Sequence, residues 1–300
     1  RFGLLQRGAL LEKGRAPHML VMSATPIPRS LALVRYADLE ISLIRHRPAG
    51  RGRVITRVTP EHKREAVYEF LGERLSEGRQ AFIIYPLVEE SEKSDLKAAT
   101  TMAKRLAARP EFRDFEVALL HGQMKSEEKD AVMGRFVAGE VHVLVATTVI
   151  EVGIDVPNAS FLVIEHPERY GLSQLHQLRG RVGRGKHLSY CVLILGEGLD
   201  EAAADRLDRF ARIDDGFELA ELDLSLRGQG DVAGTRQSGR PGYKLADPWR
   251  DARMVLVARD EARKALDEGA FEGARGPEWE PLRRRLKGML ETTGVLVDAG

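Results

Sequence analysis

Between residues 50 and 196, short apolar runs alternate with amphipathic stretches, and this alternation constrains the fold more than any other feature. The runs are "RVITRVT" (53–59), "QAFIIYPL" (80–87), "FEVALLH" (115–121), "VHVLVAT" (141–147), "SFLVIEH" (160–166) and "SYCVLIL" (189–195). An earlier run, "HMLVMSA" (18–24), is ended by Pro26 and Pro28. Between the runs lie helix-like segments. The first is expected to start with Thr59 as a hydroxyl cap and Pro60 at the first helical position. It places Val67, Phe70, Leu71 and Leu75 on one face, and Gly78 stops it. "SDLKAATTMAKRLAAR", "SEEKDAVMGRFVAG" and "GLSQLHQLRG" read as the next helices. Apolar strands separated by amphipathic helices imply βαβ crossovers, hence an α/β fold with a mostly parallel sheet covered on both faces.

After "GEGLDEAAADRLDRF" the strand signal stops, and residues 199–293 read as helices broken by a Gly-rich stretch, "RGQGDVAGTRQSGRPG" (227–242). A hydrophobic content of 43% is ample for a core. Charged residues make up 30% but leave a formal net charge of only +1, which excludes a uniformly basic nucleic-acid coat and leaves local basic clusters open. The single cysteine, Cys191, lies in an apolar run and is expected to be a buried core thiol; no disulfide framework is possible, which suits a reducing cytoplasm. No apolar run approaches the ~18 residues of a membrane span. The chain opens on Arg1 with a helix already under way, so a piece of a longer protein is expected.

Four stretches carry candidate chemistry. In "QLHQLRGRVGRG" (174–185) three arginines, Arg179, Arg181 and Arg184, are spaced by glycines. A guanidinium stays protonated and matches phosphate oxygens in pairs, and flanking glycines let the backbone approach a ligand. The plainer reading is a solvated Arg/Gly turn at a helix end. The parallel-sheet context argues for a site, since ligands collect at the carboxyl ends of such strands. In "VLVATTVIEVGIDVPNA" (143–159), Thr147 and Thr148 end a strand, Gly153 permits a tight turn and Asp155 precedes Pro157. The acid can accept from a ribose hydroxyl and the threonines can touch phosphates; a loop merely capped by Asp155 fits equally well. "SATPIPR" (23–29) offers Ser23, Thr25 and Arg29, with helix capping the simpler account of its hydroxyls. "LLHGQM" (119–124) puts His121 at a strand end, where a lone histidine is more often structural. No histidine–cysteine set has metal-ligand spacing.

What the chain lacks is equally informative. GxxxxGK[ST] does not occur, and Gly185-Lys186 is followed by His187; "DEAA", "DEAR" and "DEGA" each lack the last residue of a DExH or DExD tetrad. The arginines suit a γ-phosphate, but no nucleotide cradle and no magnesium carboxylate accompany them.

With these stretches in hand, the sequence resembles superfamily 2 helicase motors, and among them the RecG family of bacterial ATP-dependent DNA helicases. "VMSATPIPR" resembles motif III, "YPLVEESEKSDLKAA" the motif IV region, "ATTVIEVGIDVPNA" motif V, "GLSQLHQLRGRVGRG" motif VI and "GTRQSG" (234–239) the translocation element; the likeness runs from residue 1 to about 265. "RGQGD" (227–231) departs from the family's RGPGE. The resemblance implies a remnant of helicase lobe 1 over 1–48, a RecA-like lobe 2 over 49–198, and a helical C-terminal translocation module over 199–300. It implies ATP hydrolysis coupled to movement on branched or duplex DNA at stalled forks and recombination junctions. ATP with magnesium would be bound mainly by the preceding lobe, so the piece alone would be inactive. Arg181 and Arg184 would be catalytic; Gly153, Asp155 and Gln177 would face the nucleotide. Ser23, Thr25, Arg29, His121, Thr147, Thr235, Arg236 and Gln237 would contact DNA or couple the lobes. The expected setting is the bacterial cytoplasm, at the nucleoid, as a monomer, with single-stranded DNA-binding protein a further partner and no membrane. Two other readings stay open: the motor of a transcription-repair coupling factor, and a non-enzymatic nucleic-acid-binding lobe.

Overall fold

The structure is a computed structural model, and it describes residues 50–86, 92–147, 155–234, 252–268 and 279–293, with isolated positions at 18, 20, 22, 42 and 44. The run at 18–24 therefore lies largely outside the described residues. Six strands form one sheet: β1 (Val54–Thr59), β2 (Gln80–Ile84), β3 (Val117–Leu120), β4 (Val143–Ala146), β5 (Ala159–Glu165) and β6 (Ser189–Ile194). Their order is β1-β6-β5-β2-β4-β3, and every neighbouring pair is parallel.

The helices between them are α1 (Arg64–Ser76), α2 (Glu92–Ala107), α3 (Ser126–Val137) and α4 (Leu172–Arg179), and α5 (Glu201–Arg212) and α6 (Gly216–Gly234) follow β6. Alternate strand residues serve opposite faces of the sheet. Ala81, Ile83, Val143, Val145, Phe161 and Val163 pack against Tyr68, Leu71 and Leu75 of α1 and Leu106 of α2. Phe82, Ile84, Leu144, Leu162 and Ile164 meet Met133 and Phe136 of α3, Leu172 and Leu175 of α4, and Leu207 and Phe210 of α5. Each such side chain contributes roughly 1.5–3 kcal/mol by leaving water. Cys191 is fully buried, and burial pushes its thiol up to about 12, so it is an inert core residue.

Backbone proximity divides the chain into two units, Leu43–Leu226 and Arg1–Ser42 with Arg227–Gly300. The first unit extends past the last strand because Leu207, Phe210 and Leu219 fill the core beneath α4. In the second unit the described elements are the end of α6, α7 (Ala252–Asp267) and α8 (Glu280–Thr293).

One local expectation is corrected, and another, the shared face of Val67, Phe70, Leu71 and Leu75, holds with Tyr68 added to it. Thr59 does not cap α1: it remains paired with Ile194 at the end of β1, and a 3-10 turn over Glu61–Lys63 follows Pro60 before α1 begins at Arg64. The pyrrolidine fixes φ, and a tighter turn then takes up the change of direction. The most buried positions of α1 are Tyr68, Leu71, Gly72 and Leu75, with Val67 and Phe70 only partly covered. A polar partner explains Tyr68. Its hydroxyl donates to Glu165 Oε1 at 2.6 Å and lies 3.3 Å from the Tyr85 hydroxyl, while Arg64 Nη2 stands 2.9 Å from Glu165 Oε2.

Glu165 is fully buried, and burial raises its pKa although the Tyr68 hydroxyl and Arg64 act against that. The folded protein thus holds a proton that the unfolded chain releases near 4.5, and the associated stability is complete below that pH and is lost as pH rises through the folded value. Glu165→Gln removes this loss. The urea midpoint of the variant, relative to wild type, should increase as pH is raised from the ordinary carboxylate range toward neutrality. A difference independent of pH would show that folding leaves the Glu165 pKa unchanged.

Candidate functional site

Because all six strands are parallel, their amino ends share one edge of the sheet and their carboxyl ends the other. The arginine loop lies at the amino edge. α4 ends at Arg179 with Gly180 as its cap, and the loop then runs beside the starts of β1, β5 and β6. Gly52 N–H donates to the Gly185 carbonyl at 2.7 Å, and Ser189 N–H to the Arg53 carbonyl at 2.9 Å. Gly183 sits at φ +74° against Val54, where a side chain would be strained and would strike Val54 Cγ2. A Cβ at Gly185 would strike the Pro157 carbonyl oxygen. The glycines therefore let three strand-start segments close on one loop.

This closure brings together two residues that are far apart in sequence. Arg184 Nη1 lies 3.3 Å from Asp155 Oδ1, and Arg184 Nε donates to the Gly180 carbonyl at 3.0 Å. Asp155 is 67% exposed along its side chain and Arg184 20%, so the pair faces solvent on the aspartate side. Arg181 and Gln177 are half-buried on the same turn and loop. The site is thus one acid and two arginines at the amino edge. The carboxyl-edge location inferred from the general rule for parallel sheets is corrected: the loop precedes β6 instead of following a strand.

The carboxyl edge carries different groups. His121 follows β3 and Thr147 follows β4, whose backbone N–H donates to the Leu120 carbonyl at 3.3 Å. The Thr147 hydroxyl and His121 Nδ1 are buried without a hydrogen-bond partner. Burial, and then the Lys129 ammonium, lower the His121 pKa, so the ring is neutral at pH 7 and acts as a hydrogen-bonding group, not a cation. Between β5 and β2 the chain leaves in opposite directions, toward β6 from one and toward β3 from the other. A ligand crevice is expected at such a switch point. Here the buried Glu165, Tyr68 and Tyr85 occupy it. Sequence reasoning missed this group; the signal available was an acid, Glu165, closing a strand whose preceding residues, Ala159 to Ile164, are apolar apart from the small Ser160.

Arg179 separates from its two neighbours. It is 5% exposed and its guanidinium lies 4.5 Å from the centre of the Phe210 ring. It belongs to the core side of α4 and leaves the loop with two arginines for an anion. Ser23, Thr25, Arg29, Gly153, Thr235, Arg236 and Gln237 lie outside the described residues. Among the described residues no group of three or more His, Cys, Asp or Glu side chains could hold a metal ion, and no helix is long and apolar enough to cross a membrane.

Comparison with known proteins supplies the remaining context. Residues 62–186 match the helicase conserved C-terminal domain, and residues 213–296 match ATP-dependent DNA helicase RecG, domain 3, C-terminal. The chain is 49% identical over 269 residues to the ATP-dependent DNA helicase RecG of Thermotoga maritima, covering 90% of this chain and 34% of that protein. The chain belongs to the RecG family. The Escherichia coli K12 RecG is likewise 49% identical over 269 residues, covering 88% of this chain and 38% of that protein. A structure of RecG bound to a three-way DNA junction matches with a TM-score of 0.65 and 46% identity, covering 81% of this chain and 31% of the other. The parallel sheet with helices on both faces is therefore a RecA-like helicase lobe. The chain spans roughly a third to two-fifths of the length of these relatives.

Proposed function

We propose that this chain supplies the second motor lobe and the following helical module of an ATP-driven helicase that remodels branched DNA, as its relatives' names and the junction-bound structure suggest. The observation that carries the proposal is the Arg184–Asp155 pair on the glycine-closed loop at the amino edge, with Arg181 beside it. Arg181 and Arg184 are the phosphate-facing groups. Their fixed positive charge stabilises the charge that develops on the γ-phosphoryl oxygens, an effect worth roughly 10³–10⁵ in rate for an arginine supplied from across a cleft. Asp155, held by Arg184, accepts from a ribose hydroxyl, and Gly153 and Gln177 complete that side. The magnesium that accompanies ATP is held mainly by the other motor lobe.

The opposite edge serves DNA. The orphaned Thr147 hydroxyl and the neutral His121 ring are suited to phosphate oxygens, where contacts position a motor without reading sequence. Ser23, Thr25 and Arg29 link the nucleotide to the lobes, and Thr235, Arg236 and Gln237 convert lobe movement into translocation. The preferred setting is the bacterial cytoplasm at the nucleoid, with a monomeric motor and single-stranded DNA-binding protein as a further partner. The test is ATP turnover by the complete protein. Branched DNA should stimulate it more than linear duplex of equal length. Equal turnover with and without any branched DNA would overturn the reading.

A further inference from the structure

We infer that the β1–β6 side of the sheet is a second DNA surface, apart from the carboxyl-edge groups, and that it takes the backbone of an unpaired strand. The sequence segregates charge there. Basic and acidic residues balance over the chain, 46 against 45, yet residues 41–60 and 169–196 contain no Asp or Glu. β1 and β6 are drawn from these two segments and pair in parallel at one side of the sheet. Ile55 lies beside Tyr190 and Arg57 beside Val192, and alternate strand residues share a face, so Arg53, Ile55 and Arg57 form one row. The bond from Ser189 N–H to the Arg53 carbonyl keeps Arg53 in the ladder. α1 meets this face through Phe70, whose ring centre lies 5.1 Å from that of Tyr190, and both arginines stay exposed. The Gly52–Gly185 hydrogen bond brings Arg51 and Lys186, also exposed, to the amino end of the row.

Among the described residues no ion pair joins Arg51, Arg53, Arg57 or Lys186 to an acid. By contrast, Arg64 and Arg74 of α1 each hold a glutamate, Glu61 and Glu77, at 2.7 Å. A cluster of one sign repels itself, and a bound polyanion relieves that repulsion. Arginine suits phosphate in particular, because each guanidinium takes two of its oxygens at once. Arg53 and Arg57 stand roughly 13 Å apart along a nearly straight strand. A strand within a duplex winds away from such a row, whereas an unpaired strand can straighten along it. Leu188, 46% exposed, and the half-buried Tyr190 ring lie beside the cations. They offer apolar contact to unstacked bases, while the bases of a duplex face inward.

The test uses the complete protein, with Arg53→Gln/Arg57→Gln on the β1 row and Lys186→Gln on the segment before β6. All three side chains are exposed, and an unchanged urea midpoint verifies that each variant keeps the fold. The probes are two forks, one with an unpaired arm of about 20 nucleotides and one fully paired, each titrated from about 50 to 300 mM salt. On the fork with the unpaired arm, the double variant should flatten the dependence of log Kd on log salt by about 1.4, roughly 0.7 per lost phosphate contact. Its binding should weaken about tenfold at physiological salt, and Lys186→Gln should give about half the change in slope. Affinity for the fully paired fork and the KM for ATP should stay within about twofold. An unchanged slope means a merely solvated face and overturns the inference. Equal weakening on both forks also overturns it, since the surface would then grip duplex or act through the fold. Loss of oligoglutamate binding with DNA affinity unchanged would make the face a dock for an acidic protein and likewise overturn it. If the double variant does not fold, Lys186→Gln decides alone. Fork binding does not require hydrolysis: a wild type without fork-stimulated turnover overturns the motor reading, while the salt slopes still decide the surface.

Discussion

Arg184→Ala should lower the fork-stimulated ATP turnover of the complete protein by at least about 10³-fold while leaving fork affinity within about twofold. The size follows from where the charge acts. A guanidinium aimed at developing negative charge in a closed, water-poor cleft is worth far more than the same group on an open surface. The selectivity follows from what the side chain does in the fold. Its partners are Asp155, 67% exposed, and the Gly180 carbonyl, and an exposed ion pair of this kind contributes about 0–1 kcal/mol. Removing it therefore leaves the sheet and the carboxyl-edge groups in place. Arg184→Lys should recover part of the rate, because the charge stays but the bidentate fork is lost. Single-turnover hydrolysis with saturating ATP separates this from a binding defect. Turnover within about tenfold of wild type in the alanine variant would remove Arg184 from the transition state.

How much of this could be read from the sequence depends on what decides each feature. Central strands are decided by burial on both faces, which leaves a continuous apolar run, so β4, β5 and β6 were legible to within a residue or two, and the β2 run overshot its end at Ile84 by three. The edge strands were legible to the same degree. "FEVALLH" shortens to Val117–Leu120 because Phe115 leaves the ladder to pack on the His142 ring. Loss of strand signal after residue 198 marks the end of the sheet but not of its core, since α5 and the start of α6 bring Leu207, Phe210 and Leu219 beneath it.

The candidate site divides in the same way. That "RGRVGR" suits an anion is a matter of residue chemistry and is visible in the letters. Which edge of the sheet holds it is a matter of topology: the loop's place is set by the strand it precedes and by contacts of Gly52, Val54 and Pro157, more than twenty residues away in each case. The different fate of Arg179 was within reach. It lies four residues beyond Leu175 and seven beyond Leu172, on the stripe of α4 that faces the core. Reading the three arginines as one group overlooked that phase. The buried Glu165, Tyr68 and Tyr85 group was out of reach, because residues 68, 85 and 165 come together only when β2 and β5 pair.

The 300-residue chain by itself should show no ATP turnover above background, with or without branched DNA. Two guanidiniums on a solvent-facing loop offer nucleotide only screened charge, and at physiological salt such contacts hold a polyphosphate at about millimolar affinity or weaker. Binding of that strength holds neither the γ-phosphoryl group nor an attacking water in line, and orientation alone accounts for about 7–11 kcal/mol of a well-organised reaction. No GxxxxGK[ST] loop or DExH tetrad is present in the 300 residues to supply it. Phosphate release from purified chain, magnesium ATP and fork DNA measures this directly, and addition of a separately expressed first lobe of a RecG relative should restore turnover that depends on Arg184. Magnesium-dependent hydrolysis by the chain alone, lost in Arg184→Ala, would place a complete catalytic site within these residues and overturn the division of labour between the two lobes.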